Sequence, residues 1–312
     1  MSESTIAILC SGQGRQHREM FDAVSDVPEA QAIFREASAY LEGVDPREFV
    51  RSAPEGALYS NRIGQLLCCT QALAAWAALG TARPKRAVIA GYSVGELAAW
   101  GCAGILAPGV VLALAEQRAR LMDIATPPEA GLLGVVGLRA SDISGLLEMN
   151  SLWIAIVNDV DSYVVGGLNS DLLCFEKQAL KTGARHIRRL NVAVPSHTPL
   201  LRDACQAFAE QVKRHALYRP LSGLRVLSGI DGDWVVDTAE GVDKLAAQIA
   251  QTVRWGDCLR SCIESGAIAA LELGPGDALC RMLTSVDVSV PVRAYENFRR
   301  ADGVKKWLDT LN

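Results

Sequence analysis

The residues with the most chemical promise are Gly91-Tyr92-Ser93-Val94-Gly95. A serine with glycine two residues to either side suits a sharp turn between a strand and a helix. Arg86–Ala90 reads as that strand, and a helix pattern follows Gly95. Such a turn lifts the serine hydroxyl above a sheet edge. The helix N-terminus behind it offers free N–H groups to a developing oxyanion. The same five residues also suit a plain glycine-rich turn. A serine nucleophile needs a base, and the chain has four histidines, His17, His186, His197 and His215. His197 lies in Val194-Pro-Ser-His-Thr-Pro199, where two prolines restrict the backbone; an ordinary loop histidine fits there equally. His17 follows a glycine turn and could approach the same sheet edge. His186, beside Arg185 and Arg188-Arg189, reads as solvated, and His215 reads as a helix-end cation. Position favours His197.

Three other groups bear on the site. Gly12-Gln13-Gly14 follows the first strand pattern, but a dinucleotide fingerprint needs a further glycine where His17 stands. The motif reads instead as a close-approach turn whose N–H groups face Ser93. Arg118 and Arg120 point about 200° apart on a helix, so one can turn inward. A buried arginine suits a planar carboxylate, while two surface arginines are the plain alternative. The nine cysteines form no Cys-x-x-Cys pair, so no metal site is expected. Cys10, Cys102 and Cys174 read as small core hydrophobes of a reducing compartment.

The elements that must carry these residues follow an α/β grammar. Thr5–Cys10, Arg86–Ala90 and Ile268–Leu273 are apolar runs ending in glycine turns, each expected to lead into a helix. Ile63–Leu79, Gly109–Ile124 and Leu200–His215 have helical patterns. Between them, strands at Leu132–Leu138, Leu152–Val157, Ser162–Leu168 and Ala184–Val192 alternate with helices at Ser141–Met149 and Ser170–Lys181. The Asn158-Asp-Val-Asp cluster is expected to be a turn. That order is βαββαβ, the ferredoxin-like pattern. The fold class is therefore α/β: a large α/β-hydrolase-like domain with a parallel sheet, residues 1–130 and 196–312, and an inserted small ferredoxin-like subdomain, 131–195.

Of the 312 residues, 50% are hydrophobic and 21% charged, enough apolar residue for a large core. The net charge of −4, without long basic runs, argues against a dedicated nucleic-acid binder. The start, Met1-Ser-Glu-Ser-Thr, has no basic region, and the apolar run behind it is short, so export is not expected and the cytoplasm is. Leu97–Ala115 carries no charge, but Gly101, Gly104, Pro108 and Gly109 interrupt it; two buried helices are expected rather than a membrane span.

Taken in order, these motifs resemble the malonyl-CoA:acyl carrier protein transacylase family along nearly the whole chain. Gly12-Gln-Gly14, Gly91-Tyr-Ser-Val-Gly-Glu96, Arg118, Val194-Pro-Ser-His197, Leu245-Ala-Ala-Gln248 with Val253-Arg-Trp255, and Leu273-Gly-Pro-Gly276 carry the likeness. Tyr92 stands where most of the family has His. With Cys10-Ser-Gly-Gln-Gly-Arg-Gln, it makes the chain resemble the malonate decarboxylase branch, its malonyltransferase (epsilon) subunit. The resemblance implies an S-malonyltransferase working by ping-pong transfer. Ser93 would be the nucleophile and His197 the base, a Ser-His dyad oriented by a carbonyl near Gln248. The N–H groups of Gln13 and Val94 would form the oxyanion hole, and Arg118 would hold the malonyl carboxylate. Tyr92, Asn158 and Ser196 would be site neighbours. Malonyl-CoA is the implied donor, with no permanently bound cofactor. The implied partner is a carrier protein, here the malonate decarboxylase carrier with its dephospho-CoA-derived group; no nucleic acid or membrane is implied. Arg185, Arg188 and Arg189 could meet its surface or CoA phosphates, or form a solvated edge. Loading an acyl carrier protein of fatty-acid or polyketide synthesis is the alternative. A serine esterase or thioesterase is an alternative of another class, expected to use an Asp or Glu partner and to release free acid. A non-catalytic assembly subunit would form no acyl-enzyme.

Overall fold

Residues 4–311 are described by the computed structural model; the first three residues of the Met1-Ser-Glu-Ser-Thr start lie outside them. Thr5–Cys10 forms β1 and Arg86–Gly91 forms β2, paired in parallel with Cys10 opposite Gly91. Leu224–Val226 (β7), Ala267–Glu272 (β8) and Val292–Ala294 (β9) complete a parallel sheet of order β7-β2-β1-β8-β9. β1 and β2 are buried nearly throughout, which explains their unbroken apolar sequences: both faces are covered. The central position of β1 sets the turns after β1, β2 and β8 side by side at one sheet edge. That is where ligand sites of such sheets form.

A second sheet is built from Ala130–Val136 (β3), Trp153–Asp159 (β4), Ser162–Leu168 (β5) and His186–Arg189 (β6), in the order β4-β5-β3-β6 and wholly antiparallel. The helices Ala140–Met149 and Asn169–Thr182 cover one face, where Leu133, Val135, Ile143, Val165 and Phe175 form a local core. This is the ferredoxin-like order, with period-2 alternation dividing each strand between two faces. The other face, with Leu132, Ile156 and Val164, joins Leu9, Val253, Trp255 and Leu259 of the large unit in one shared core. Reciprocal bonds, Val157 N–H to Val253 O and Val253 N–H to Ala155 O, both 2.9 Å, stitch the units together.

Several expectations need correcting. The turn after β1 leads into turns and a 3-10 segment at Asp22–Val24, not directly into an α-helix. Asn158 lies within β4, whose pairing with β5 continues to Asp159; Val160-Asp161 makes the turn. The last strand of the small sheet is the four-residue β6, because only four residues pair with β3. Cys174 is exposed on the outer side of its helix, while Cys10 and Cys102 are buried. Leu97–Ala115 divides into helices Gly95–Cys102 and Pro108–Ala125. The helix Asn61–Leu79 is long and apolar enough to span a bilayer, yet nearly all of it is buried in the core.

Candidate active site

The turn after β2 is held by close packing. Tyr92 N–H bonds the Cys10 carbonyl at 3.0 Å, tying the turn to β1. A Cβ on Gly91 would lie 2.1 Å from Glu96 N, and one on Gly95 would lie 2.1 Å from the Cys10 carbonyl oxygen. The glycines are thus required by backbone crossing backbone, which nothing flexible can relieve. Gly91→Ala is expected to destabilise the fold by about 3 kcal/mol or more. A shift of the urea unfolding midpoint measures this; an unchanged midpoint would refute the packing account. Between the glycines, Ser93 has φ +56°, a left-handed backbone that a non-glycine residue adopts only under constraint.

His197 also has a left-handed backbone, φ +64°. Its N–H bonds the Ile249 carbonyl at 2.8 Å, and the residue is 2% exposed. Nε2 lies 2.8 Å from Ser93 Oγ, across 104 residues of sequence. Nδ1 bonds the Gln248 main-chain carbonyl. A carbonyl only accepts, so Nδ1 carries the proton and Nε2 offers its lone pair to the serine hydroxyl. Burial, together with the nearby Arg118 charge, pushes the imidazole pKa down to about 3. The ring is therefore neutral at neutral pH, as a base must be.

Arg118 is the inward member of its pair. It is 1% exposed, whereas the Arg120 side chain is 69% exposed and bonds Glu116 at 2.8 Å. One Arg118 terminal nitrogen donates to Gln65 Oε1 at 2.7 Å, the other to Gln248 Oε1 at 3.2 Å. Both acceptors are neutral amides. Burial lowers the guanidinium pKa to about 10, still cationic at neutral pH. Gln248 sits at the end of the Thr238–Ala247 helix and serves both His197 and Arg118. Its Nε2 donates to Glu96, wholly buried near the start of the Gly95–Cys102 helix. Sequence reasoning misses the part of Gln65 and Glu96 in this network. An isolated polar residue in the apolar Ile63–Leu79 pattern is the available signal for Gln65.

Among the described residues, the N–H groups of Gln13 and Val94 meet no backbone or side-chain acceptor. A Cβ on Gly12 would lie 2.6 Å from the Tyr92 carbonyl oxygen, so the two turns touch. Tyr92 donates to Asn158 Oδ1 at 3.1 Å and stands edge-on to Trp255, ring centroids 5.3 Å apart. Residues of the two sheets thereby meet beside Ser93. Ser196 is buried next to His197. Gln13, Tyr92, Asn158, Arg15 and Arg188 line a cleft of about 300 Å³ that also takes in both sheets. His197 borders a separate cavity of about 480 Å³ with Trp153, Ile230 and Arg254. Of the basic trio, Arg185 pairs with Asp161 at 2.5 Å and Arg189 with Asn169, leaving Arg188 on the cleft wall. His17 is drawn away from the dyad, to Glu296 at 3.0 Å. His186 is exposed.

The acyl transferase domain family matches residues 8–286. The malonyl CoA-acyl carrier protein transacylase of Mycobacterium tuberculosis is 29% identical over 297 residues, 94% of this chain and 96% of that protein. The solved acyl-carrier-protein S-malonyltransferase of Burkholderia pseudomallei superposes with TM-score 0.89 at 27% identity, covering 97% of this chain and 99% of that one. The malonyl CoA-acyl carrier protein transacylase of Coxiella burnetii superposes with TM-score 0.90 at 25% identity, covering 99% and 98%.

Proposed function

Because the chain belongs to the acyl transferase domain family, we propose that it is a malonyl-CoA:acyl carrier protein S-malonyltransferase. The observation that carries the reading is a buried arginine with no carboxylate partner among the described residues, joined through one glutamine to a Ser-His dyad. A resident acidic side chain would satisfy such an arginine; an acyl group with its own carboxylate supplies one on arrival.

Ser93 Oγ attacks the malonyl thioester carbonyl while His197 Nε2 takes the hydroxyl proton. The N–H groups of Gln13 and Val94 stabilise the oxyanion, a contribution worth on the order of 10²–10³ in rate per donor. The C–S bond breaks, and His197 returns the proton to the departing thiol. The malonyl-Ser93 ester then passes to a carrier thiol by the reverse steps, in ping-pong order. The Gln248 carbonyl does for His197 what an aspartate does in a Ser-His-Asp triad. Arg15 and Arg188 on the cleft wall suit CoA phosphates or an acidic carrier. The nine free cysteines suit a reducing compartment such as the cytoplasm.

For the acceptor, the names of the relatives favour an acyl carrier protein, which fits the reading of loading for fatty-acid or polyketide synthesis. Service to malonate decarboxylase rests on Tyr92 and the Cys10–Gln16 segment alone, and is the second reading. Purified enzyme with malonyl-CoA should malonylate a phosphopantetheine acyl carrier protein faster than a carrier bearing a dephospho-CoA-derived group. The reverse preference would favour the decarboxylase role. Rapid thiol release without any acceptor would instead indicate a hydrolase.

A further inference from the structure

Glu96 lies three residues beyond the nucleophile, 0% exposed, and the transfer steps above give it no part. Its Oε2 accepts twice, from Gly229 N–H at 3.0 Å and from Gln248 Nε2. Its Oε1 is buried and, among the described residues, has no hydrogen-bond partner. The ionisable groups facing it come from four elements. Arg118 belongs to the Pro108–Ala125 helix, and Asp231 to the loop after β7. Cys258 belongs to the Trp255–Glu264 helix, and His197 is bound to Gln248. Asp231 is paired with Lys244 at 2.9 Å. Burial holds the Cys258 thiol protonated and the His197 ring neutral. Arg118 is thus the cation Glu96 faces within the site.

Gln248 joins these two charges. Its Nε2 meets the carboxylate and its Oε1 meets the guanidinium. A reversed amide would set donor against donor and acceptor against acceptor, so the orientation is dictated by the two neighbours. Above about pH 7 the free site therefore holds one buried anion and one buried cation, an amide apart. A malonyl carboxylate on Arg118 adds a second anion to a pocket balanced for one, and like charges raise each other's pKa. A proton on Oε1 relieves this without disturbing either hydrogen bond to Oε2.

We propose that Glu96 is a positioning residue with a second task. In the free enzyme it orients Arg118 through Gln248. When a malonyl carboxylate occupies Arg118, Glu96 takes up a proton from solvent on Oε1. This rests on the malonyl reading above. The balance is one solvent proton gained and one O–H bond formed; acyl transfer from thioester to serine is itself proton-neutral while the released thiol stays protonated. Burial already holds the Glu96 carboxyl at about 7, so a modest added repulsion carries it across neutral pH.

The test uses Ser93→Ala, which cannot form the ester, titrated calorimetrically with malonyl-CoA or CoA in two buffers of different ionisation heat. Malonyl-CoA should bind with net proton uptake and CoA without it. The uptake should fade below about pH 7, where the free enzyme already carries the proton. Glu96→Gln in the same background should bind malonyl-CoA with the uptake lost. Malonyl-CoA binding with no more proton uptake than CoA overturns the proposal, and that comparison stands even if the Glu96 variant does not fold. If wild-type enzyme forms no malonyl ester and malonyl-CoA binds no better than CoA, the malonyl reading itself falls and takes this inference with it.

Discussion

Ser93→Ala is expected to abolish the malonyl ester and to lower transfer by roughly 10⁴-fold or more, as loss of a covalent nucleophile does in dyads and triads. The size of the effect comes from the geometry. Ser93 Oγ lies 2.8 Å from an imidazole that burial keeps unprotonated and that a carbonyl holds in the productive tautomer. Removing the oxygen leaves that base with nothing to deprotonate. The fold should survive: the strained turn is held by Gly91 and Gly95 against Glu96 and Cys10, not by the Ser93 hydroxyl. The measurement is intact mass after exposure to malonyl-CoA. Wild-type protein should gain one malonyl group and the variant none. A variant that still gains it, with a circular dichroism spectrum like wild type, would place the nucleophile elsewhere. An otherwise active wild type that never gains it would point to direct transfer without an acyl-enzyme.

Much of this site is legible in the sequence because its parts are local. The turn around Ser93 announces itself through two glycines and a change of period from strand to helix within ten residues. The small sheet is legible for a similar reason. Its strands alternate in period 2, and the helix at Asn169–Thr182 ends at Gly183, whose left-handed φ of +108° closes it. The expectation for Asn158 fails on a matter of pairing. Polar residues signal a turn only when no neighbouring strand claims their backbone, and β5 claims this stretch as far as Asp159. The expected helix after β1 fails because a glycine-rich exit marks where a strand stops and leaves the next element open.

What the sequence hides is the wiring between distant residues. Glu96 reaches Gln248 across 152 positions, and Gln65 reaches Arg118 across 53. Nothing periodic marks such pairs. Each is a polar residue where the local pattern calls for an apolar one, and only the tertiary fold shows that one satisfies the other. Arg118 illustrates the limit. Helical geometry says that Arg118 and Arg120 diverge, but which of them turns inward depends on where the Asn61–Leu79 helix packs.

Arg118→Ala should invert the acyl preference, and the expected loss for malonyl transfer is large. The guanidinium is planar, buried and flanked by Gln65 and Gln248, neutral acceptors, so that among the described residues no anion touches its fork and Glu96 stands an amide away. A malonyl carboxylate can take two parallel N–H bonds from such a fork. An acetyl group brings no carboxylate to the fork. Sites built around a buried polar group reject its absence by about 10⁴–10⁵, and the variant forfeits most of that factor. The ratio of kcat/KM for malonyl-CoA over acetyl-CoA should therefore fall by orders of magnitude, chiefly through the malonyl term. Truncation also strips a donor from each glutamine, a cost of about 1–3 kcal/mol per buried group left unpaired. Thermal stability must be read alongside the rates. Arg118→Lys separates charge from shape: it keeps a cation but not the fork, and should recover only part of the malonyl preference. A purified, folded Arg118→Ala enzyme that still chose malonyl over acetyl by the wild-type margin would show that another group receives the carboxylate. Glu96 would then lose its reason to take up a proton.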